Sequence, residues 1–85
     1  MTKKLIQSYV WHNGKCFFIS TINRESSALL AYGMMYAETM VWEYNYDTSE
    51  RGKLIGEYSG SKGSLRCHFN ICENLQEHGT CEDRQ

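Results

Sequence analysis

Eighty-five residues, 41% hydrophobic, 13% aromatic and 22% charged, make one globular domain spanning 1–85 and exclude a multidomain enzyme. Nine basic against ten acidic residues leave a formal charge of −1, which excludes a global field able by itself to hold a nucleic-acid backbone. No run approaches the ~18 apolar residues of a membrane span. The opening residues, broken at Gln7 and Ser8 and followed by no small-residue cleavage site, read as a strand and not as a leader. The expectation is a cytoplasmic protein with reduced thiols at Cys16, Cys67, Cys72 and Cys81.

The first predicted element is a hairpin. Residues 4–11 and 16–22 are rich in Ile, Val, Tyr, Phe, Trp and Thr and flank Asn13-Gly14, the pair suited to a two-residue turn with both residues at positive φ. That register opposes Trp11 with Cys16, Tyr9 with Phe18 and Leu5 with Ile22 on one face, and places Val10, Phe17, Ile19 and Ile6 on the other. Both faces are apolar, so both call for a cover. Residues 24–32 then read as a short helix or loop, with Asn23 as N-cap and Gly33 as a stop.

A second hairpin spans about 38–59. Met40, Trp42, Tyr44 and Tyr46 alternate with Val41, Glu43, Asn45 and Asp47, the period of a half-buried strand. Ser49-Glu50-Arg51-Gly52-Lys53 suits a turn with Gly52 in a bulge, which opposes Tyr44 with Tyr58 and Asn45 with Glu57. Near 64–78 a last helix shows Leu65, His68, Phe69, Cys72 and Leu75 at three- and four-residue steps, flanked by Ile71 and stopped by Gly79. Residues 79–85 are polar and read as a frayed tail.

The sum is an α+β fold: a four-stranded, mainly antiparallel sheet from two hairpins, with a C-terminal helix packed on one face. One amphipathic helix cannot cover two apolar faces. The surplus of Tyr9, Trp11, Phe18, Trp42, Tyr44, Tyr46 and Tyr58 calls for a second cover or an interface.

Motifs for chemistry are sparse. Cys67, His68, Cys72, His78 and Cys81 fall close in sequence, but their spacing matches none of the usual zinc patterns; a zinc-stabilised nucleic-acid module using His68, Cys72 and Cys81 is the alternative reading. Gly60-Ser-Lys62-Gly63-Ser64 departs from the phosphate-loop pattern because Ser61 separates Gly60 from Lys62, where the pattern needs Gly directly followed by Lys and then Ser or Thr. No nucleophile elbow, His-Glu-x-x-His or dinucleotide fingerprint occurs. The sequence therefore points to no catalytic residue, no metal and no cofactor. Aromatic residues beside Arg51, Lys53, Lys62 and Arg66 could stack bases, but five acidic against two basic residues over 38–57 disfavour direct nucleic-acid binding.

Protein binding explains the surplus with least. Trp42, Tyr44, Tyr46, Asp47, Glu50 and Tyr58 combine aromatic anchors with an acidic rim, the anatomy of a contact patch. A sheet edge without proline also leaves a homodimer open. In size and style, with segments such as Ile19-Ser-Thr-Ile-Asn-Arg-Glu-Ser-Ser-Ala28 and Tyr36-Ala-Glu-Thr-Met-Val-Trp-Glu43, the chain resembles the small orphan proteins of bacteriophages and mobile elements, some of which are anti-CRISPR proteins. That resemblance carries no site residues. It implies a non-enzymatic inhibitor in the cytoplasm of a bacterial host, blocking a CRISPR-Cas or other nuclease complex by stoichiometric binding.

Overall fold

The alternating and turn-forming segments become four strands and a helix in a computed structural model that describes residues 2–24, 36–59 and 65–81. The elements are β1 (Thr2–His12), β2 (Lys15–Arg24), β3 (Tyr36–Asn45), β4 (Glu50–Ser59) and α1 (Leu65–His78). The strands form one antiparallel sheet in the order β1-β2-β3-β4, so the two hairpins meet through β2 and β3. The short helix or loop expected over 24–32 lies outside the described residues.

The first hairpin turns as its sequence dictates. Asn13 and Gly14 sit at φ 50° and 79°, the left-handed pair that matches strand twist. Pairing runs from His12 opposite Lys15 to Ile6 opposite Thr21. A bulge then shifts it, so Ile22 opposes Lys4 where a uniform ladder would place Leu5.

The second hairpin closes more tightly than the sequence reading held. Its turn is residues 46–49, and Asn45 opposes Glu50 while Tyr44 opposes Arg51. The Asn45 side-chain oxygen accepts from the backbone N–H groups of Asp47 and Thr48 at 3.1 and 3.3 Å, and Ser49 takes φ 58°. An Asx turn ended by a left-handed residue thus replaces the predicted glycine turn. The irregularities move into β4, on the stretches opposite Val41–Trp42 and Trp42–Tyr44, the second of which includes Gly52. Tyr58 is consequently opposed to Thr39 instead of Tyr44, which turns it to the other face.

That face carries the core. Phe17, Ile19 and Val41 pack with Ile71 and Leu75 of α1, and Val10, Ile55, Tyr58, Cys72 and Cys81 pack around them. The helix lies mainly over β1 and β2 and reaches β3. Its buried stripe is His68, Ile71 and Leu75, whereas Phe69, included in the sequence stripe, points to solvent at the helix surface. Residues at 68, 71 and 75 recur at three and four, and 69 lies about 100° round the axis from 68.

Two residues fix where the helix ends. Gly79 adopts φ 71° and donates its N–H to the Leu75 carbonyl at 2.9 Å, a left-handed C-terminal cap. The His12 ring donates Nδ1–H to the Gln76 carbonyl at 3.0 Å, with Asn13 donating to its Nε2 at 3.2 Å, so the first hairpin turn closes the last turn of the helix. Residues 79–81, read from the sequence as the start of a tail, fold back: the Cys81 carbonyl accepts from Asn74 at 3.4 Å and its side chain joins the core margin.

A Cβ on Gly79 would lie 2.7 Å from His12 Cδ2, whereas one on Gly14, also left-handed, would meet nothing. Each alanine pays the left-handed cost of about 1–2 kcal/mol, and only Gly79→Ala must also displace the capping ring. Urea unfolding should therefore show a larger loss for Gly79→Ala than for Gly14→Ala, with unchanged m-values; equal losses would mean that the His12 cap contributes nothing.

Candidate functional site

Side-chain alternation sends one set of residues under the helix and the other onto the opposite face, open in that no other described element covers it. On that open face Tyr9 and Trp11 of β1, Phe18 of β2, and Trp42 and Tyr44 of β3 stand in adjacent rows, because Tyr9 opposes Phe18, Trp11 opposes Cys16, Phe18 opposes Trp42 and Cys16 opposes Tyr44. Tyr46, one residue beyond β3, joins them. The rings form a continuous array: Phe18 stacks on Trp42 at 5.7 Å, Tyr9 lies 5.0 Å from both Phe18 and Tyr44, and Trp11 lies 5.5 Å from Tyr46. Such pairs contribute about 0.5–1.5 kcal/mol each beyond area burial, so the array is partly self-supporting. The Arg51 guanidinium covers the Trp42 ring at 4.8 Å, a cation–π contact.

The array is uneven in exposure. Cys16, Phe18 and Ser20 at its centre are buried, while Tyr9, Trp11 and Tyr46 remain 49%, 48% and 59% exposed. Tyr9, Phe18, Met40, Trp42, Tyr44 and Arg51 line a hollow of about 520 Å³. At the turn end a second hollow of about 470 Å³ is bordered by Trp11, Tyr44, Tyr46 and Asp47. A hydrogen bond with Tyr44, together with partial burial, holds the Tyr9 phenol above its ordinary range, so the phenol is kept protonated. Burial does the same to the Cys16 thiol.

The six residues singled out in the sequence do not stay together. Trp42, Tyr44 and Tyr46 share the open face and Asp47 lies at its turn end. Glu50 pairs with Asn45, off the aromatic rows. Tyr58 packs against the hydrophobic core on the helix side. The patch read from the second hairpin alone is in fact shared by both hairpins, since Tyr9, Trp11 and Phe18 complete it. The signal for these three was already present in the register of the Asn13-Gly14 hairpin, which aligns them on one face.

A second polar constellation lies beneath the helix. His68 is 0% exposed, with Nε2 at 2.8 Å from Ser8 Oγ and Nδ1 at 2.8 Å from Thr21 Oγ1, which in turn lies 2.5 Å from Thr39 Oγ1. The neutral ring donates through one nitrogen and accepts through the other, so α1 is tied to β1 and β2, and through Thr21 to β3. Among the described residues no buried side-chain nitrogen or oxygen lacks a partner. The Ser8–His68 separation is that of a nucleophile and base, but the ring is sealed from solvent and its far nitrogen meets a hydroxyl and no carboxylate. Its role is to hold the helix on the sheet.

The same geometry bears on the cysteine and histidine group near the C-terminus. Both His68 nitrogens are engaged by hydroxyls, and Cys72, half-buried, has its thiol pushed up by burial against a smaller opposing hydrogen bond from Ser8. His78 instead faces Glu77 at 3.7 Å. Among the described residues no three His, Cys, Asp or Glu side chains converge as metal ligands. Among the described residues no helix is long and apolar enough to cross a membrane. Elsewhere on the helix side Lys15 pairs with Glu43, and that hydrogen-bonded ammonium holds the Glu43 carboxyl below its ordinary range.

Burial pushes the His68 imidazole below its ordinary range. The unfolded chain takes up this proton near pH ~6.5, and the folded chain takes it up only at lower pH. Between those two values the unfolded state binds more protons, so this stabilisation is full above about pH 6.5 and is lost as pH falls toward the folded value. Urea midpoints measured from about pH 7.5 down to about pH 5 should fall in the wild type and lose most of that slope in His68→Gln; equal slopes would place the proton uptake elsewhere.

Comparison of the chain with protein-family models, with curated proteins and with solved structures finds no match.

Proposed function

We propose that this chain is a small non-enzymatic binding protein that acts by stoichiometric contact through the open aromatic face of its sheet. The observation that carries the reading is the ring array shared by both hairpins, whose outer members Tyr9, Trp11 and Tyr46 stay about half exposed although the protein has a formed core on its other face. Tyr and Trp are the residues that anchor interface centres, because they combine a large apolar area with few rotatable bonds and a polar tip. Here they are also held in place in advance, by ring–ring contacts and by Arg51 on Trp42, which lowers the entropy lost on association.

The partner is a protein complex of a bacterial host, a CRISPR-Cas or similar nuclease assembly, and the site of action is the host cytoplasm. This follows from the resemblance to small phage-encoded inhibitors. It is compatible with the chemistry of the face, which offers rings and carboxyl groups to a surface built to hold nucleic acid. Contact, not turnover, is the mode of action: burial pushes the thiols of Cys16 and Cys72 up, and the His68 ring beside Ser8 is fully buried beneath the helix, with both nitrogens engaged by hydroxyls.

A photo-crosslinking residue placed at Tyr46 on the open face, or at Glu73 on the exposed helix surface, tests this in cells carrying an active CRISPR-Cas nuclease. The expected result is an adduct with a nuclease subunit from position 46 and none from position 73. Tyr9→Ser combined with Tyr46→Ser should weaken inhibition about tenfold or more, the loss of one or two interface anchors, with a melting temperature lowered by the lost ring contacts but the far-UV circular dichroism of a folded chain at the assay temperature. Adducts from position 73 alone, or inhibition undiminished in the double variant, would contradict the reading.

A further inference from the structure

Resting on the reading of the open face as a protein contact, we infer that its turn end receives arginine side chains from a basic surface of the partner. The rings there present faces rather than a flat sheet: Trp11 is tilted 57° to Tyr46, and Tyr9 stands at 87° to Tyr46 with centroids 6.2 Å apart. A ring face is the negative pole of an aromatic quadrupole, and a cation within about 6 Å of it is attracted. The hollow beside Trp11, Tyr44 and Tyr46 also holds the Asp47 carboxylate at its border. Lys15 borders the same hollow, but its ammonium is paired with Glu43. Among the described residues Asp47 makes no ion pair.

Charge is distributed along the face by register: Glu57 and Glu38 stand opposite Met40 and Ile22 toward the end that also carries Lys4 and Arg24, Asp47 lies at the turn end, and the cation Arg51 stands opposite Tyr44. That cation already lies on Trp42 at 4.8 Å, so the array takes a guanidinium within its own chain. An incoming arginine on Trp11 or Tyr46 repeats the arrangement, with Asp47 as the acceptor for its fork of N–H donors. A phosphate backbone brought to the same place would meet the carboxylate. The chain between β2 and β3 joins the sheet at the Arg24–Tyr36 pair, the opposite end from Cys16 and Tyr44.

Fluorescein-labelled nona-arginine peptide titrated with the full chain, read by anisotropy, tests the assignment, with nona-lysine and oligothymidylate as comparisons. The expected result is saturable nona-arginine binding that Trp11→Leu and Asp47→Asn each weaken about two- to five-fold, that Glu77→Gln on the helix leaves unchanged, and that exceeds nona-lysine. Asp47→Asn keeps every ring in place, so a folding defect in the tryptophan variant would not blunt the test. Absence of saturable nona-arginine binding, indifference to both variants, or tighter binding of oligothymidylate would overturn it. If a crosslink still forms from position 46 in that event, only the arginine assignment falls; if that crosslink is missing too, the protein-contact reading falls with it.

Discussion

A sheet has two faces, and a fourteen-residue helix can bury one of them. Everything else in this molecule is arranged around that inequality. Alternation along β1, β2 and β3 makes both faces apolar, so α1 settles on Phe17, Ile19 and Val41 with Ile71 and Leu75. The opposite face keeps its rings, and what solvation they lose at the centre comes from contact with each other. Exposed aromatic area of this kind has a standing free-energy cost in water, and in a small domain such a cost is retained where contact uses it.

The choice of which face the helix takes is made by polar groups as much as by apolar ones. Ser8, Thr21 and Thr39 bring aliphatic hydroxyls to the inward rows, and the His68 ring meets Ser8 and Thr21 directly. Docked in place, all of these groups are satisfied. Shifted by one helical residue, the fully buried His68 ring would lose both hydroxyl partners, at about 1–3 kcal/mol for each polar atom left unpaired. The His12 cap adds a second positional constraint at the far end of the helix, where Gly79 leaves room for the ring. Two polar contacts thus fix a helix whose apolar stripe alone would tolerate sliding.

Much of this was legible in the residues. Asn13-Gly14 defined the first turn and, through it, the row containing Tyr9, Trp11 and Phe18; Gly79 defined the helix end. The second turn was misread because no Asn-Gly pair marks it: Asn45 builds it with its side chain and Ser49 takes a conformation usually left to glycine. That error placed Tyr58 beside Tyr44 and left Glu50 in the patch, and a tight turn corrects both. The His68 network was invisible from the helix alone, since a histidine on an apolar stripe acquires partners only when strands distant in sequence are brought beneath it. The sign available was the interruption of inward apolar rows by Ser8, Thr21 and Thr39. The interface itself was half legible: a count of aromatic residues showed a surplus, but its assignment to both hairpins required the β2–β3 pairing.

The central claim is that the aromatic face stands open in the free protein, and hydroxyl-radical footprinting of the purified chain over a range of concentrations tests it most directly. The account predicts rapid modification of Trp11, Tyr46 and Tyr9 at every concentration, against slow modification of Phe17 and Leu75 beneath the helix. Protection of Trp11 and Tyr46 to the level of Phe17 would contradict it: present at all concentrations, it would mean that the chain covers its own rings, and growing with concentration, that a second copy does.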